Sequence, residues 1–237
     1  MISSLLSFND IEEIASYIET KDEINLLKFI SNKGDIIDFL HTIRNTIYYQ
    51  KPTVSFKIKS EKFSADMVFD KSQFLYNIPN KEFLSLNYNK LIFNFSYPIV
   101  HSINPLDNIL TCIKSINNKQ FCIDQIQELK EIIGILPMKD YNYIIDYIKK
   151  NIISKLNTIS IFDTKRDIKT KFTFNNEDII NILFFVCKYS LSYLQQLKVI
   201  LMKESNFSYT DFDRITVEQS LNYYKVLKEM TNDREQQ

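Results

Sequence analysis

The two histidines, His41 and His101, are the residues of this 237-residue chain best suited to acid–base chemistry near neutral pH. His41 lies beside the apolar positions of a helical pattern, and His101 follows the dipeptide Tyr97-Pro98. A catalytic histidine needs a nucleophile or carboxylate that converges on it, and neither local sequence supplies such a motif. We therefore predict no catalytic residue and no enzymatic activity. The opposing hypothesis is an enzyme of unrecognised type that uses one of these histidines with nearby carboxylates.

The three cysteines, Cys112, Cys122 and Cys187, do not form a pattern of metal ligands. Structural zinc is usually held by two close pairs of Cys or His, but Cys112 and Cys122 are too far apart and Cys187 is isolated. An odd number of cysteines without framework spacing favours reduced thiols in a cytosolic setting. The sequence predicts no metal site.

Only two glycines, Gly34 and Gly134, are present, and this excludes the common nucleotide sites. Phosphate-binding loops and dinucleotide turns need several glycines so that the backbone can approach the ligand. The acidic pairs at 12–13, 22–23 and 177–178 fall near predicted helix starts, where negative charge suits the helix dipole. We predict no cofactor.

The charge balance argues against nucleic-acid and membrane partners. Lys+Arg and Asp+Glu number 29 each, so no net field attracts an anionic polymer or surface. A regulator with a basic face stays open as an alternative, since a balanced total does not preclude one. The apolar run 179–187 is too short to span a bilayer, and the acidic first turns are unlike a signal peptide.

The aromatic residues are the remaining candidates for function, with 18 Phe, 14 Tyr and no Trp. Phe207, Tyr209 and Phe212 crowd one short segment. Because Tyr and Phe are favoured at protein interfaces, these three residues are our candidates for contact with a partner. The alternative is that they pin the last two helices together.

Apolar residues at helical spacing predict three helices in the first 51 residues. Asn9, with Glu12 three positions later, predicts the start of the first helix. Gly34 predicts the end of the second helix, and Pro52 marks the end of the third. The apolar positions are Phe8, Ile11, Ile14, Ala15, Ile18, Ile24, Leu27, Ile30, Ile36, Ile37, Leu40, Ile43 and Ile47.

The period then changes from helical spacing to strict alternation. Apolar and polar residues alternate over 54–58, 63–69 and 91–95, which predicts a small antiparallel sheet within 52–97. A hairpin turn is expected at 60–62.

Helical spacing returns after Asn104-Pro105 and continues to the end of the chain. A short hairpin is expected near 158–174. The predicted helices cover 106–113, 126–133, 141–152, 176–204 with a break near Ser190, and 217–230.

These patterns together predict an α+β, mostly α-helical fold. A small antiparallel sheet is inserted between an N-terminal helical unit and a larger C-terminal helical bundle. The expected units are 1–51 (N-terminal helices), 52–100 (antiparallel β segment) and 101–237 (C-terminal helical domain with the short hairpin).

The order of features in the second half resembles the baseplate hub assembly proteins, or chaperones, of T4-type contractile-tailed phages. That family has a strand ending in Tyr-Pro, a helix with a Cys-Ile-x-x-Ile core, a helix ending in a break, and a helix leading into Lys-Leu. The matching segments are Phe93-Asn94-Phe95-Ser96-Tyr97-Pro98, Cys112-Ile113-Lys114-Ser115-Ile116, residues 126–136 and Lys155-Leu156.

The resemblance continues to about residue 230. The family then has a short strand pair, a Phe-Phe doublet, a Leu-rich helix, an Asn-Phe-Ser-x-x-Asp/Glu element and a final helix opened by an acidic residue. The matching segments are 172–174, Phe184-Phe185, 191–202, 206–211 and Glu218 before Leu221-Asn222-Tyr223-Tyr224. Two departures are the absence of Cys from 160–170 and Thr216-Val217-Glu218 in place of Pro-Trp-Glu. The zinc knuckle that Cys pairs suggest in many relatives is therefore not carried over.

The resemblance implies a non-enzymatic assembly factor that helps hub proteins fold or associate in the host cytoplasm. Its partners would be phage tail or baseplate hub proteins, and the sequence leaves a homo-oligomer open. The alternative is a permanent structural subunit of the tail or baseplate, located in the virion.

Overall fold

The computed structural model describes residues 5–50, 53–59, 64–70, 75, 77–160, 172, 174–187 and 189–235, with the side chains of 50, 53–59, 64–70, 176, 177, 181, 184, 185 and 232–235 left aside. The fold is α+β and mostly helical, with a small antiparallel sheet between N-terminal helices and a C-terminal helical bundle, as predicted. None of the helices in these ranges combines the length and apolar character needed to cross a bilayer.

The three N-terminal helices are α1 (Phe8–Thr20), α2 (Glu23–Asn32) and α3 (Ile36–Gln50). Ser7, not the predicted Asn9, caps α1. Its Oγ accepts from the N–H of Asp10 at 3.1 Å, and a carboxylate oxygen of Asp10 accepts from the N–H of Ser7 at 2.9 Å. The earlier start brings Phe8 into the buried face of the helix, and it frees the Asn9 side chain for tertiary contacts.

Gly34 separates α2 from α3 with φ of 107°, a conformation that side-chain-bearing residues rarely adopt. The buried face of α2 differs from the predicted one. Ile24 is 70% exposed, and Leu26 and Phe29 are buried in addition to Leu27 and Ile30. The helix therefore lies rotated on the core relative to the predicted orientation.

Within 52–97 the sequence predicted one sheet, but the described strands of this region belong to two separate sheets. Strands β1 (Thr53–Lys59) and β2 (Ser64–Asp70) pair with each other in antiparallel register, from Thr53 opposite Asp70 to Lys59 opposite Ser64. The hairpin is thus confirmed, and its predicted turn at 60–62 lies outside the described residues.

The second sheet has four strands in the order β3-β4-β5-β6. They are β3 (Leu84–Tyr88), β4 (Leu91–Phe95), β5 (Ile113–Ile116) and β6 (Lys119–Gln120). Helix α4 (Pro105–Leu110) ends before Ile113, so the predicted helix through 113 is wrong. The segment Cys112–Ile116, read as a helix in the family pattern, is mostly strand β5. Ile113 pairs with Phe95, and Ile116 pairs with Phe93.

The C-terminal half contains a 3₁₀ helix (Ile123–Gln125), then α5 (Ile126–Gly134) and α6 (Met138–Ile148). A π-helical segment (Lys149–Ile153) joins α6 to α7 (Ser154–Leu156). The predicted hairpin near 158–174 falls mainly outside the described residues. At its two ends, the N–H of Phe172 donates to the carbonyl of Ile159 at 2.9 Å.

The last helices are α8 (Asn176–Val186), α9 (Leu191–Ser205) and α10 (Val217–Glu235), with a second 3₁₀ helix (Tyr209–Asp213) between α9 and α10. The predicted break near Ser190 is confirmed, because the Ser190 hydroxyl caps α9 by accepting from the N–H of Tyr193. Helix α1 packs against α2, α8, α9, α10 and the second 3₁₀ helix. The two ends of the chain therefore share one hydrophobic core.

Candidate functional site

The predicted contact residues Phe207, Tyr209 and Phe212 lie together, but they have different surroundings. Phe212 is fully buried, with its ring centroid 5.0 Å from that of Phe8 and 5.7 Å from that of Phe207. The ring of Phe207 also meets the ring of Tyr223 on α10 at 5.3 Å. Phe207 and Phe212 thus tie α1 to the C-terminal helices, whereas Tyr209 is 61% exposed.

Lys198 on α9 anchors this region from within. Its side chain is 7% exposed, and its Nζ donates to Asn9 Oδ1 at 2.7 Å and to Glu12 Oε2 at 2.5 Å. The same ammonium lies 3.9 Å from the ring centroid of Tyr209. A buried cation needs such partners, and here Glu12 supplies a carboxylate and Tyr209 supplies an aromatic face. Lys198 therefore fixes α1, α9 and the second 3₁₀ helix relative to one another.

Helices α1 and α9 run antiparallel beside this lysine. The N–H of Leu191, at the start of α9, donates to Glu19 near the end of α1 at 2.9 Å, and Lys198 meets Asn9 at the start of α1. Between the helices lies an open groove of about 820 Å³. Its lining residues are Asn9, Glu12, Glu13, Ser16, Tyr17, Leu191, Gln195, Lys198, Val199, Met202, Tyr209 and Asp213.

The groove, hereafter the α1–α9 groove, combines exposed apolar side chains with carboxylates. Val199 is 49% and Met202 is 40% exposed, and with Tyr209 they form an apolar strip. Large exposed apolar side chains that share a concave surface are typical of interaction sites.

The charge of the α1–α9 groove is negative. It contains three carboxylates, from Glu12, Glu13 and Asp213, and a single cation, Lys198. Asp213 accepts a hydrogen bond from the Asn9 amide at 2.6 Å. Glu13 accepts one from the hydroxyl of Tyr17, and this hydrogen bond, together with burial, raises the pKa of Tyr17 to about 12. Tyr17 is therefore a neutral donor at physiological pH, and it adds no charge to the groove.

The histidines lie elsewhere. Burial is the main cause that lowers the pKa of His41, with a further contribution from Arg44, and burial likewise lowers the pKa of His101. His101 Nε2 is buried and has no hydrogen-bond partner among the described residues. Neither histidine lines the α1–α9 groove as the described residues define it.

The cysteines are dispersed over the fold. Cys112 is buried, and this burial raises the pKa of its thiol, whereas Cys122 is exposed and Cys187 is half-buried. Within the described ranges, no three His, Cys, Asp or Glu side chains cluster closely enough to hold a metal ion.

No protein-family model matches the chain, and no curated protein or solved structure is significantly similar to it. The function must therefore be inferred from the sequence and from the groove itself.

Sequence reasoning missed Lys198 and Glu12. The sequence did contain one signal: Lys198 stands among Leu194, Leu197 and Leu201, which form the buried stripe of α9. A lysine within such a stripe indicates a buried ion pair. Its partner could not be identified in the same way, since Glu12 lies 186 positions away.

Proposed function

We propose that this protein is a non-enzymatic assembly factor, a chaperone for the baseplate hub of a contractile phage tail, and that it acts by binding another tail protein. The observation that supports a protein-binding role is the α1–α9 groove, in which Val199, Met202 and Tyr209 are exposed beside carboxylates. The assignment to phage tails rests on the sequence resemblance over residues 90–230.

The groove suits a transient binder. Its apolar strip would cover apolar surface that a hub protein exposes before assembly, and the surrounding carboxylates would keep the free factor soluble. Helices α1 and α9 are held in place by the buried Lys198–Glu12 pair, so the binding surface exists before the partner arrives. The proposed site of action is the host cytoplasm.

The experiment is affinity capture of the tagged full-length protein from infected cells, followed by mass spectrometry, beside the same analysis of purified particles. We expect hub proteins in the capture and little of this protein in the particles. The matched variants are Val199→Asp in the groove and Val226→Asp on α10, because these valines are 49% and 53% exposed. Capture should be lost with the first substitution and kept with the second.

A permanent structural subunit of the tail or baseplate is the alternative, since the same groove could hold a neighbour in the finished particle. Detection at a fixed ratio to known tail proteins in purified particles would establish this alternative and overturn the chaperone proposal. If the capture recovers no tail protein and purified particles do not contain this protein, both proposals are overturned.

A further inference from the structure

The two sides of the α1–α9 groove are stripes of antiparallel helices. Helix α1 contributes Asn9, Glu12, Glu13, Ser16 and Tyr17, which recur at spacings of three and four and so share one face. Helix α9 contributes Leu191, Gln195, Lys198, Val199 and Met202 with the same periodicity. A third helix can pack in the groove between two antiparallel helices, as helices do in bundles.

The length of the groove matches a short helix. At 1.5 Å per residue, the α1 stripe from Asn9 to Tyr17 is about 12 Å long, and the α9 stripe from Leu191 to Met202 is about 16 Å long. A helix of roughly 11 residues, or three turns, extends over the same distance.

The chemistry of the groove selects the sequence of that helix. Val199, Met202 and Tyr209 all line the groove and are exposed, so they offer apolar contact. Glu12 is neutralised by Lys198, whereas no ion pair among the described residues involves Glu13 or Asp213. Like charges facing each other across an interface oppose association, so an acidic occupant is disfavoured and a basic one is favoured.

The polar groups of the groove also argue against a small polar ligand. Such ligands are held by polar groups that converge on them. Here the polar groups bind one another: Lys198 donates to Glu12 and Asn9, and Asn9 donates to Asp213.

We propose that the α1–α9 groove binds an amphipathic α-helix of about three turns from a partner protein, with an apolar stripe flanked by Lys or Arg. This inference rests on the proposed function, because it names the partner element that the assembly factor recognises. The apolar stripe packs on Val199, Met202 and Tyr209, and the flanking cations face Glu13 and Asp213.

The test uses a displayed library of 12-residue helical peptides with a fixed apolar stripe and flanking positions varied equally among Lys, Gln and Glu. The full-length protein serves as the target, and the Val199→Asp variant serves for counter-selection. We expect Lys to be enriched at the flanks of the selected peptides. Enrichment of Glu or Gln, or no groove-dependent enrichment, overturns the proposal.

Selected peptides are then labelled and titrated by fluorescence anisotropy. Val199→Asp and Glu13→Lys should each weaken binding by about tenfold, equivalent to about 1.4 kcal/mol. The matched controls Val226→Asp on α10 and Glu131→Lys on α5 should bind as the parent protein does. Circular dichroism of each variant establishes that the fold is intact, and equal loss in groove and control variants contradicts the proposed site.

Two further outcomes identify other occupants. If light scattering shows self-association that Val199→Asp abolishes, the groove binds a second copy of this chain and the proposal fails. If Val199→Asp and Glu13→Lys still capture hub proteins from infected cells as the parent does, the helix proposal fails while the assembly function stands.

Discussion

Lys198 is the residue through which the two ends of the chain meet. Its ammonium binds Asn9 and Glu12 of α1 and lies against the ring of Tyr209. Burial of a lysine costs free energy unless its charge is paired, and removal of one partner leaves the other buried and uncompensated. The pair therefore matters more for the position of α1 against α9 than for net stability.

A double-mutant cycle on this pair tests that argument. Lys198→Met should lower the free energy of unfolding by roughly 3 kcal/mol, because it strands the Glu12 carboxylate, which is 17% exposed. Adding Glu12→Gln to Lys198→Met should recover part of that loss, since the stranded charge is gone. Urea denaturation gives the free energy of unfolding of the parent protein, the two single variants and the double variant. Additive losses would show that the two side chains are not coupled.

The three thiols should react at different rates. Cys122 is exposed, Cys187 is half-buried with its pKa raised to about 11, mainly by burial, and Cys112 is fully buried. Only the thiolate reacts, so a coloured disulfide reagent at pH 8 should label Cys122 first and Cys112 only after denaturation. The variant Cys122→Ser identifies the fast phase. Rapid labelling of two cysteines in that variant would contradict the burial of Cys112.

The histidines predict how stability falls in acid. The pKa values of His41 and His101 are lowered in the folded protein, so the unfolded chain takes up protons first as pH falls. Their contribution to stability is complete above the unfolded pKa of about 6.5 and is lost as pH drops through the folded values. The double variant His41→Gln/His101→Gln should show a flatter dependence of unfolding free energy on pH as the pH falls below about 6.5. If the slope of unfolding free energy against pH is unchanged in this variant, the histidines do not contribute to the loss of stability in acid.

At the scale of elements, the two glycines lie at helix ends, and substituting each by alanine should change stability in opposite directions. Gly34 has φ of 107°, where a Cβ would also lie 2.7 Å from Asp38 Oδ2, whereas a Cβ at Gly134 meets no atom within 4 Å. Gly34→Ala should lower the free energy of unfolding by about 1–2 kcal/mol because the backbone conformation is strained. Gly134→Ala, at the last residue of helix α5, should raise it by about 0.4 kcal/mol, because alanine narrows the conformations of the unfolded chain. Thermal unfolding of both variants checks the opposite signs.

The sequence best predicts those elements in which the spacing of apolar residues is compatible with a helix or with a strand, but not with both. Helix α3 is such a case, and so is the alternation that forms β1 and β2. Strand β5 was missed because Ile113 falls on the helical stripe of Leu106, Ile109 and Leu110 as readily as on a strand. Asn117 and Asn118, with φ of 47° and 68°, form the turn that makes the preceding segment a strand. Two left-handed residues form the tight turn of a hairpin, and asparagine tolerates them.

At the scale of the whole molecule, the α1–α9 groove could not be predicted, although its apolar and acidic residues are visible in the sequence. The groove exists because α1 packs on α9, and these helices are separated by most of the chain. Periodicity shows which face of each helix is apolar, but it does not show which helices meet. The partner candidates Phe207 and Phe212 illustrate the same limit, since their pattern is shared by surface and core aromatics.

The packing of α1 gives the last prediction, on cooperativity. The N–H of Phe8 donates to the carbonyl of Ile215 at 2.7 Å, and the Phe8 ring packs on Phe212. Removal of residues 1–52 would expose the apolar faces of α8, α9 and α10 that α1 and α3 cover. A 53–237 fragment should therefore show no cooperative thermal transition by circular dichroism, while the full chain melts in one step.

The matched control is a 1–231 protein, which lacks the last six residues of the chain, four of them from the end of α10, and should keep the transition of the full chain. Addition of a separate 1–51 peptide to the 53–237 fragment should restore helical signal in proportion to its concentration, because the missing contacts are then supplied in trans. A cooperative transition in the fragment alone would mean that the C-terminal helices form a self-sufficient core. The α1–α9 groove would then arise from the docking of two separately folded units.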